Sequence, residues 1–549
     1  MEEPSDNQHD PAAHNPSTHV AIAVCGCGND GRLGLGTLES RSHITLIPFF
    51  LGTVLREGHN NAAEMNGAGE PVGTIREVRV GGYHNFAITT TGVYGWGLNE
   101  HGQLGLGRGS ASSVLLPIRV PFFDEETVID IQCGAYHTFA WTKKGLFVCG
   151  KNSDGQLGLP DEGDHFSFTT LLTAAQANNS NVREGDEIGG CRLIQRGQLT
   201  HVSCGTHHTL LAFRDVVVVR EDNGEVQRQQ ASPPMHYPLL IAAAGKGDFG
   251  ELGYDGDAWS VLQAKTKTMQ YALRHGLQQQ QQQEETDSEA RIRICREKKW
   301  KAVKPRRALF SSSHFQPVLF PILLDQMAIP PATCNCEILS LHAMHLHSAA
   351  ILRECTSTEN QSGNAGRIRT FHWGCYYCDA PEDDASSIPR EDEKEGVSLH
   401  AGNETLFRYT TTPHAEVEVM GSGVLGLGEE DSLVTSWTPL PLPYGAKNLR
   451  IQAITGREHY LILLENTLVV GFGDNMHGQL GVGESQDVVL CPTVLLRTGD
   501  EVKTTPPFAE GCRWKVQSIR DAACGVRHSV YLVEIRCVPL TDVTSAPQA

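Results

Sequence analysis

An all-β fold assembled from repeated strand and turn units is what this sequence predicts, on three observations. A glycine frame, Gly-x-Asn/Gly-x-x-Gly-x-Leu-Gly, recurs as Gly26 to Gly34, Gly97 to Gly105, Gly150 to Gly158, Gly245 to Gly253 and Gly473 to Gly481. A second frame is a small-residue turn that follows an apolar stretch and ends in histidine. Its copies close on His84, His137, His208, His459 and His528, with a degenerate one at His347, where Met344 replaces the glycine. The two frames keep step: thirteen residues separate His84 from Gly97 and His137 from Gly150, and fourteen separate His459 from Gly473. Constant spacing distinguishes a repeat from a biased composition, and it fits strand, hairpin turn, strand and loop.

Taken in order, residues 1–18 are polar, acidic and proline-containing and predict a disordered tail. His19-Val20-Ala21-Ile22-Ala23-Val24-Cys25 reads as a short buried strand running into the first glycine turn. Within the glycine frame, Gly28, Asn99, Asn152, Gly247 and Asn475 share the third position, and Gly31, Gly102, Gly155, Gly250 and Gly478 the sixth. Asn and Gly accept positive φ most readily, so a left-handed backbone is expected at the third position, in a corner that turns without a side-chain ligand. A sixth copy looks split, with Trp373-Gly374 on one side and Gly423 to Gly428 on the other. Elsewhere the repeat is stretched: 37 residues separate His208 from Gly245 and 27 separate His347 from Gly374. Insertions are accordingly placed at 160–198, 220–237, 256–316 and 379–420, in exposed loops. In the third of these, Asp257 is suited to cap a helix with a partial stripe of Leu262, Met269, Leu273 and Leu277.

Composition bounds the function. The chain has 549 residues and a formal net charge of −19, which argues against a surface that neutralises nucleic-acid phosphates throughout. Any basic function must be local. The strongest candidate is the run Arg291, Arg293, Arg296, Lys298, Lys299, Lys301, Lys304, Arg306 and Arg307, which could bind an acidic protein surface or nucleic acid, direct nuclear import, or be a solvated loop. The segment 379–400 is its acidic opposite. Sixteen scattered cysteines and a start without a basic and apolar leader predict free thiols in the cytoplasm or nucleus rather than secretion. No apolar run approaches the roughly 18 residues of a membrane span.

Three chemical readings of the motifs yield to structural ones. Gly26-Cys27-Gly28-Asn29-Asp30-Gly31 and Gly245 to Gly250 satisfy Gly-x-Gly-x-x-Gly, but a dinucleotide site needs a following helix, and Arg32-Leu33-Gly34-Leu35-Gly36 is a poor helix start. The repeated histidines have no Ser, Cys or Asp in step with them, so a partly buried imidazole bonded to nearby backbone is expected rather than a general base. Cys334, Cys336, His342, His345, His347, Cys375 and Cys378 are zinc-ligand types in a spacing that is no standard finger. No catalytic residue, metal or cofactor is expected.

The pattern resembles the regulator of chromosome condensation repeat family, most specifically in Gly97-Leu98-Asn99 with Gly102-Gln103-Leu104-Gly105, Cys133-Gly134 with His137, Gly150-Lys151-Asn152 with Gly155-Gln156-Leu157-Gly158, and Gly473-Asp474-Asn475 with Gly478-Gln479-Leu480-Gly481. The resemblance implies a β-propeller over residues 19–549. Six blades are countable, and the seven usual in the family require one copy too diverged to see. Gly26 has no histidine motif before it and His528 no glycine motif after it, so N- and C-terminal strands together should close the ring.

Such a propeller implies a non-enzymatic scaffold that binds a protein partner through its loop-bearing faces. The alternative implied by the family is guanine-nucleotide exchange on a Ran-like small GTPase, although no exchange residues map onto this chain. Residues 1–18 hold no Lys or Arg, unlike a basic chromatin-binding tail. A light-sensing role is weaker, because Gly-Trp-Arg-His-Thr units are absent, and a ubiquitin-ligase role would need a catalytic domain after His528.

Overall fold

Short apolar runs bounded by glycine turns can satisfy their backbone only by pairing with the next such run, and here they do so seven times. The computed structural model describes residues 18–51, 72–177, 194–218, 235–247, 250–253, 311–318, 334–356, 367–374, 386–394, 396–403, 405–412, 414, 416–430, 432–505 and 512–539. Among them are six antiparallel sheets of four strands and one of five. In chain order, blade one covers 75–119, blade two 128–173, blade three 194–317, blade four 334–391, blade five 398–439 and blade six 451–497. Blade seven joins both ends of the chain.

Blade one shows the plan. Ile75–Val80, His84–Thr89, Val93–Leu98 and Ser113–Arg119 lie side by side in that order. His84–Thr89 is buried along its whole length, because neighbouring blades cover both of its faces. It therefore reads as a continuous His-Asn-Phe-Ala-Ile-Thr rather than as an alternation. The outer strand Ser113–Arg119 is covered on one side and leaves Leu116 and Ile118 exposed.

Closure follows the expected route. Thr18–Gly26 pairs with His528–Pro539, from Thr18 opposite Arg536 to Gly26 opposite His528. Ala21 to Cys25 in this strand are fully buried. The composite blade hides two edges that would otherwise be open to pairing with another chain. The strand begins at Thr18, one residue inside the predicted tail.

The blades number seven among the described residues, the six countable in the sequence and the one too diverged to see. The missed blade is Ser398–Ala401, Thr405–Tyr409, Val417–Gly423 and Ser432–Pro439. It lies largely inside what reads as the insertion 379–420, and Thr405 stands where the other blades have histidine. The split sixth copy is two copies: Gly374 pairs with His347 in blade four, while Gly423 to Gly428 belong to blade five. Regular structure also enters the other insertions, as His165–Thr173, Ala174–Ala177 and Ile194–Cys204 in the first, Met235–Lys246 at the end of the second and Ser311–Pro317 at the end of the third. The helix suggested at Asp257 and the basic run 291–307 lie outside the described residues.

No disulfide involves Cys25, Cys27, Cys133, Cys149, Cys204, Cys491 or Cys524. Among the described residues no helix is long and apolar enough to cross a membrane.

Candidate interaction face and the belt beneath it

In each blade the turn between first and second strands and the loop between third and fourth emerge at the same end, since neighbouring strands are antiparallel. Both repeated frames therefore gather on one face of the propeller. The second-to-third hairpins, such as the one at Thr91, and the connections between blades form the other face.

The first glycine of each frame sits across from the histidine of its own blade: Gly97 from His84, Gly150 from His137, Gly245 from His208, Gly374 from His347, Gly473 from His459 and Gly26 from His528. Gly97 has φ of 106°, and a Cβ there would lie 2.5 Å from the Tyr83 carbonyl oxygen, so neither its conformation nor its space admits another residue.

The third position departs from expectation. No Asn in it has positive φ, and Gly28 is right-handed at φ −89°. The left-handed residues are its neighbours, Gly97 and Gly102 in the blade-one copy. Asparagine is there for its side chain. Asn99 Oδ1 accepts from the Leu104 N–H at 3.0 Å, and its Nδ2 donates to the Ala111 carbonyl at 3.0 Å, which ties both ends of the loop together. Asn152 and Asn475 hold Leu157 and Leu480 in the same way, each at 3.0 Å. The corner thus turns on a side-chain ligand after all. At Gly28 a Cβ would meet the Glu39 carbonyl oxygen at 2.1 Å, so this loop closes by backbone approach instead.

The histidines are wholly buried, and His84, His137, His208, His459 and His528 bond to the next blade rather than to nearby backbone. His84 Nε2 lies 2.8 Å from Thr138 Oγ1, and that hydroxyl donates to the Gln103 carbonyl at 2.7 Å. Because the hydroxyl's one proton is committed to the carbonyl, the imidazole must donate from Nε2. The same clamp joins His137 and Gln156 around Thr209, His208 and Glu251 around Ser348, and His459 and Gln479 around Ser529. At the closing seam Asn85 takes the hydroxyl's place, accepting from His528 at 3.0 Å and donating to the Arg32 carbonyl at 2.9 Å. Arg32, Gln103, Gln156, Glu251 and Gln479 all follow the sixth-position glycine, so each glycine loop offers the carbonyl that anchors the next blade.

Burial drives His84, His137 and His208 down to about 3 and His459 to about 4, and holds His347 and His528 well below the ordinary imidazole value. They are neutral at physiological pH. The glycine that opens the turn lies flat against the ring: a Cβ on Gly134 would come within 2.1 Å of His137 Cε1.

Above the belt, the two residues between that glycine and the histidine change from blade to blade. Tyr83 and Tyr136 stack at 4.8 Å, Arg32 lies over Tyr83 at 4.8 Å, and Lys151 lies over Tyr136 at 5.7 Å. Burial and a hydrogen bond with Tyr83 raise the Tyr136 phenol, so it stays protonated. Around the axis the seven turns line a cavity of about 220 Å³ that includes Thr206, His345, His400 and Arg457. Of the zinc-type residues, His345 faces this cavity, His347 belongs to the belt and packs near His372 at 5.4 Å, and Cys375 and Cys378 lie outside the described residues. Among the described residues no group of three or more His, Cys, Asp or Glu could hold a metal.

Residues 92–141 match the regulator of chromosome condensation (RCC1) repeat, and a second description of that repeat matches 75–103 and 128–156. The chain carries RCC1-like repeats. It is 30% identical over 163 residues to the ultraviolet-B receptor UVR8 of Arabidopsis thaliana, covering 29% of this chain and 32% of the receptor. It is 33% identical over 140 residues to the human probable E3 ubiquitin-protein ligase HERC3, covering 25% of this chain and 11% of the ligase. The matches thus span about a third or less of these curated relatives. The fold of Prp20p from Saccharomyces cerevisiae aligns over 96% of this chain and 93% of that one, with TM-score 0.52 at 13% identity. Human WBSCR16 aligns over 94% and 98%, with TM-score 0.51 at 18% identity. The clamp between blades was missed in the sequence although its hydroxyl sits directly after the histidine, at Thr138, Thr209, Ser348 and Ser529, a regularity that was legible.

Proposed function

We propose that this RCC1-like propeller is a non-enzymatic scaffold whose turn face receives a protein partner. The observation that carries the reading is the division of labour in each turn. Glycine and histidine are committed to the belt, while the turn positions beside them vary, as Tyr83, Tyr136, His207, Asn403, Arg457 and Arg527. A rigid frame with variable tips changes partners without changing its core. The largest insertion is flanked by the third and fourth strands of blade three, Met235–Lys246 and Ser311–Pro317. By its charge alone, the basic run 291–307 is a candidate contact for an acidic partner surface.

The second reading is exchange on a small GTPase. Its support is the likeness in fold to Prp20p, which is described as binding Gsp1p and histones. Release of a fluorescent guanine nucleotide from Ran-like GTPases separates the two. The scaffold reading expects the intrinsic rate in the presence of excess propeller, whereas concentration-dependent acceleration would replace it with exchange.

A further inference from the structure

The axial opening holds a cationic group that makes no hydrogen-bonded ion pair among the described residues. Arg457 lines the cavity from the tip of the blade-six turn. Its Nε donates to Asn403 Oδ1, and its Nη2 lies 3.1 Å from His345 Nε2. Both partners are neutral, and among the described residues Arg457 forms no ion pair. Glu458 acts on Arg457 only through space, since its side chain accepts from Asn403 at 2.6 Å, and Asp154 pairs with His207 at 3.3 Å and Lys151 at 3.8 Å.

The hydrogen-bond directions follow from the chemistry of the groups. A guanidinium only donates, so His345 Nε2 must accept and its proton sits on Nδ1. Nδ1 then donates to Thr206 Oγ1 at 2.9 Å, which leaves the Thr206 proton available to the cavity. Burial first, then the charges of Arg457, His207, His208 and Lys246, keep His345 neutral, with its value near 3. Arg457 Nη1 makes no hydrogen bond among the described residues. A guanidinium held in place by neutral groups, beside a hydroxyl donor and two tyrosines, presents a preorganised set of donors to an oxyanion. The cavity of about 220 Å³ equals the liquid volume of about seven waters, enough for a tetrahedral anion with part of its shell and too small for a nucleotide.

We propose that the mouth of the axial channel binds a small phosphate-class oxyanion through Arg457 and Thr206. This site does not depend on the scaffold reading. The test is inorganic phosphate titrated into the full chain in a phosphate-free buffer, read by calorimetry and by phosphorus NMR line width, with sodium chloride of matched ionic strength as control. Saturable binding with one site per chain is expected. Arg457→Gln should weaken it at least about tenfold, since a charge-assisted bond is lost. Thr206→Val should weaken it several-fold, and serves if Arg457→Gln does not fold. A phosphoserine arm separates sources: tighter binding of phosphoserine than phosphate identifies a phosphorylated side chain, and the reverse identifies a free anion. No saturable binding beyond the chloride control, or equal binding by wild type and folded Arg457→Gln, would overturn the proposal.

Discussion

Acidification from about pH 7.5 to about pH 5.5 is expected to remove about 8 kcal/mol of folding stability through the six belt histidines. Each is neutral in the folded chain down to a pH far below its ordinary value, with burial as the first cause. In the unfolded chain each takes up a proton near pH 6.5. Their contribution is complete well above that value and is lost as the pH falls below it, at about 1.4 kcal/mol per histidine over the whole interval from about pH 7.5 to about pH 5.5. The sum is comparable to the total stability of a typical domain. Carboxylates do not confuse the window. Asp154, Glu418 and Glu534 are held below their ordinary range and cost stability only as the pH drops through about 4. Urea unfolding followed by tryptophan fluorescence at a series of pH values checks this. A stability that stays flat from neutrality to pH about 5 would mean that the imidazoles are not buried as neutral groups.

Thr138→Val is expected to cost about 2–4 kcal/mol, although it replaces one small side chain by another of the same shape. The hydroxyl is bonded on both sides, so its loss leaves the His84 Nε2–H and the Gln103 carbonyl without their shared partner inside the ring. Each abandoned buried group carries a penalty of about 1–3 kcal/mol. Thr493→Val supplies the comparison, because Thr493 is an exposed strand residue whose hydroxyl reaches only the Cys491 carbonyl at 3.0 Å, and it should change stability by less than about 0.5 kcal/mol. If the two variants unfold at the same urea concentration, the clamp does not hold the blades together.

Much of this architecture was legible in the residues, and what was not has physical reasons. The glycine frame and the histidine frame carry strict backbone and packing demands, so they survive as spelling, and the pairing of Gly26 with His528 could be anticipated from the ends of the chain. Blade five escaped notice because its turn ends in Thr405 and its neighbour Leu406 has no hydroxyl, so neither half of the clamp is spelled there. Its seam with blade six is held otherwise, by His400 Nε2 donating to the Gly456 carbonyl at 2.7 Å and by Phe407 packing on Tyr460 at 4.8 Å. Outer strands such as His165–Thr173 are covered on one side and tolerate polar residues, so they read as insertion. The misreading of Asn99, Asn152 and Asn475 has a different source. Asparagine is favoured both where φ is positive and where a loop needs a two-ended side-chain clip, and composition alone does not separate the two. The axial site left no motif, since Thr206, His345, Asn403 and Arg457 come from four different blades.

The division between a structural belt and a variable turn face is tested most directly by site-specific photocrosslinking in cells. A photoreactive residue at Arg527 or Met476, both exposed on the turn face, is compared with one at Thr91 or Asn466, both exposed on the opposite face. Discrete adducts with a protein partner are expected from Arg527 and Met476 and not from Thr91 and Asn466. Adducts confined to Thr91 and Asn466 would contradict the assignment of function to the turn face.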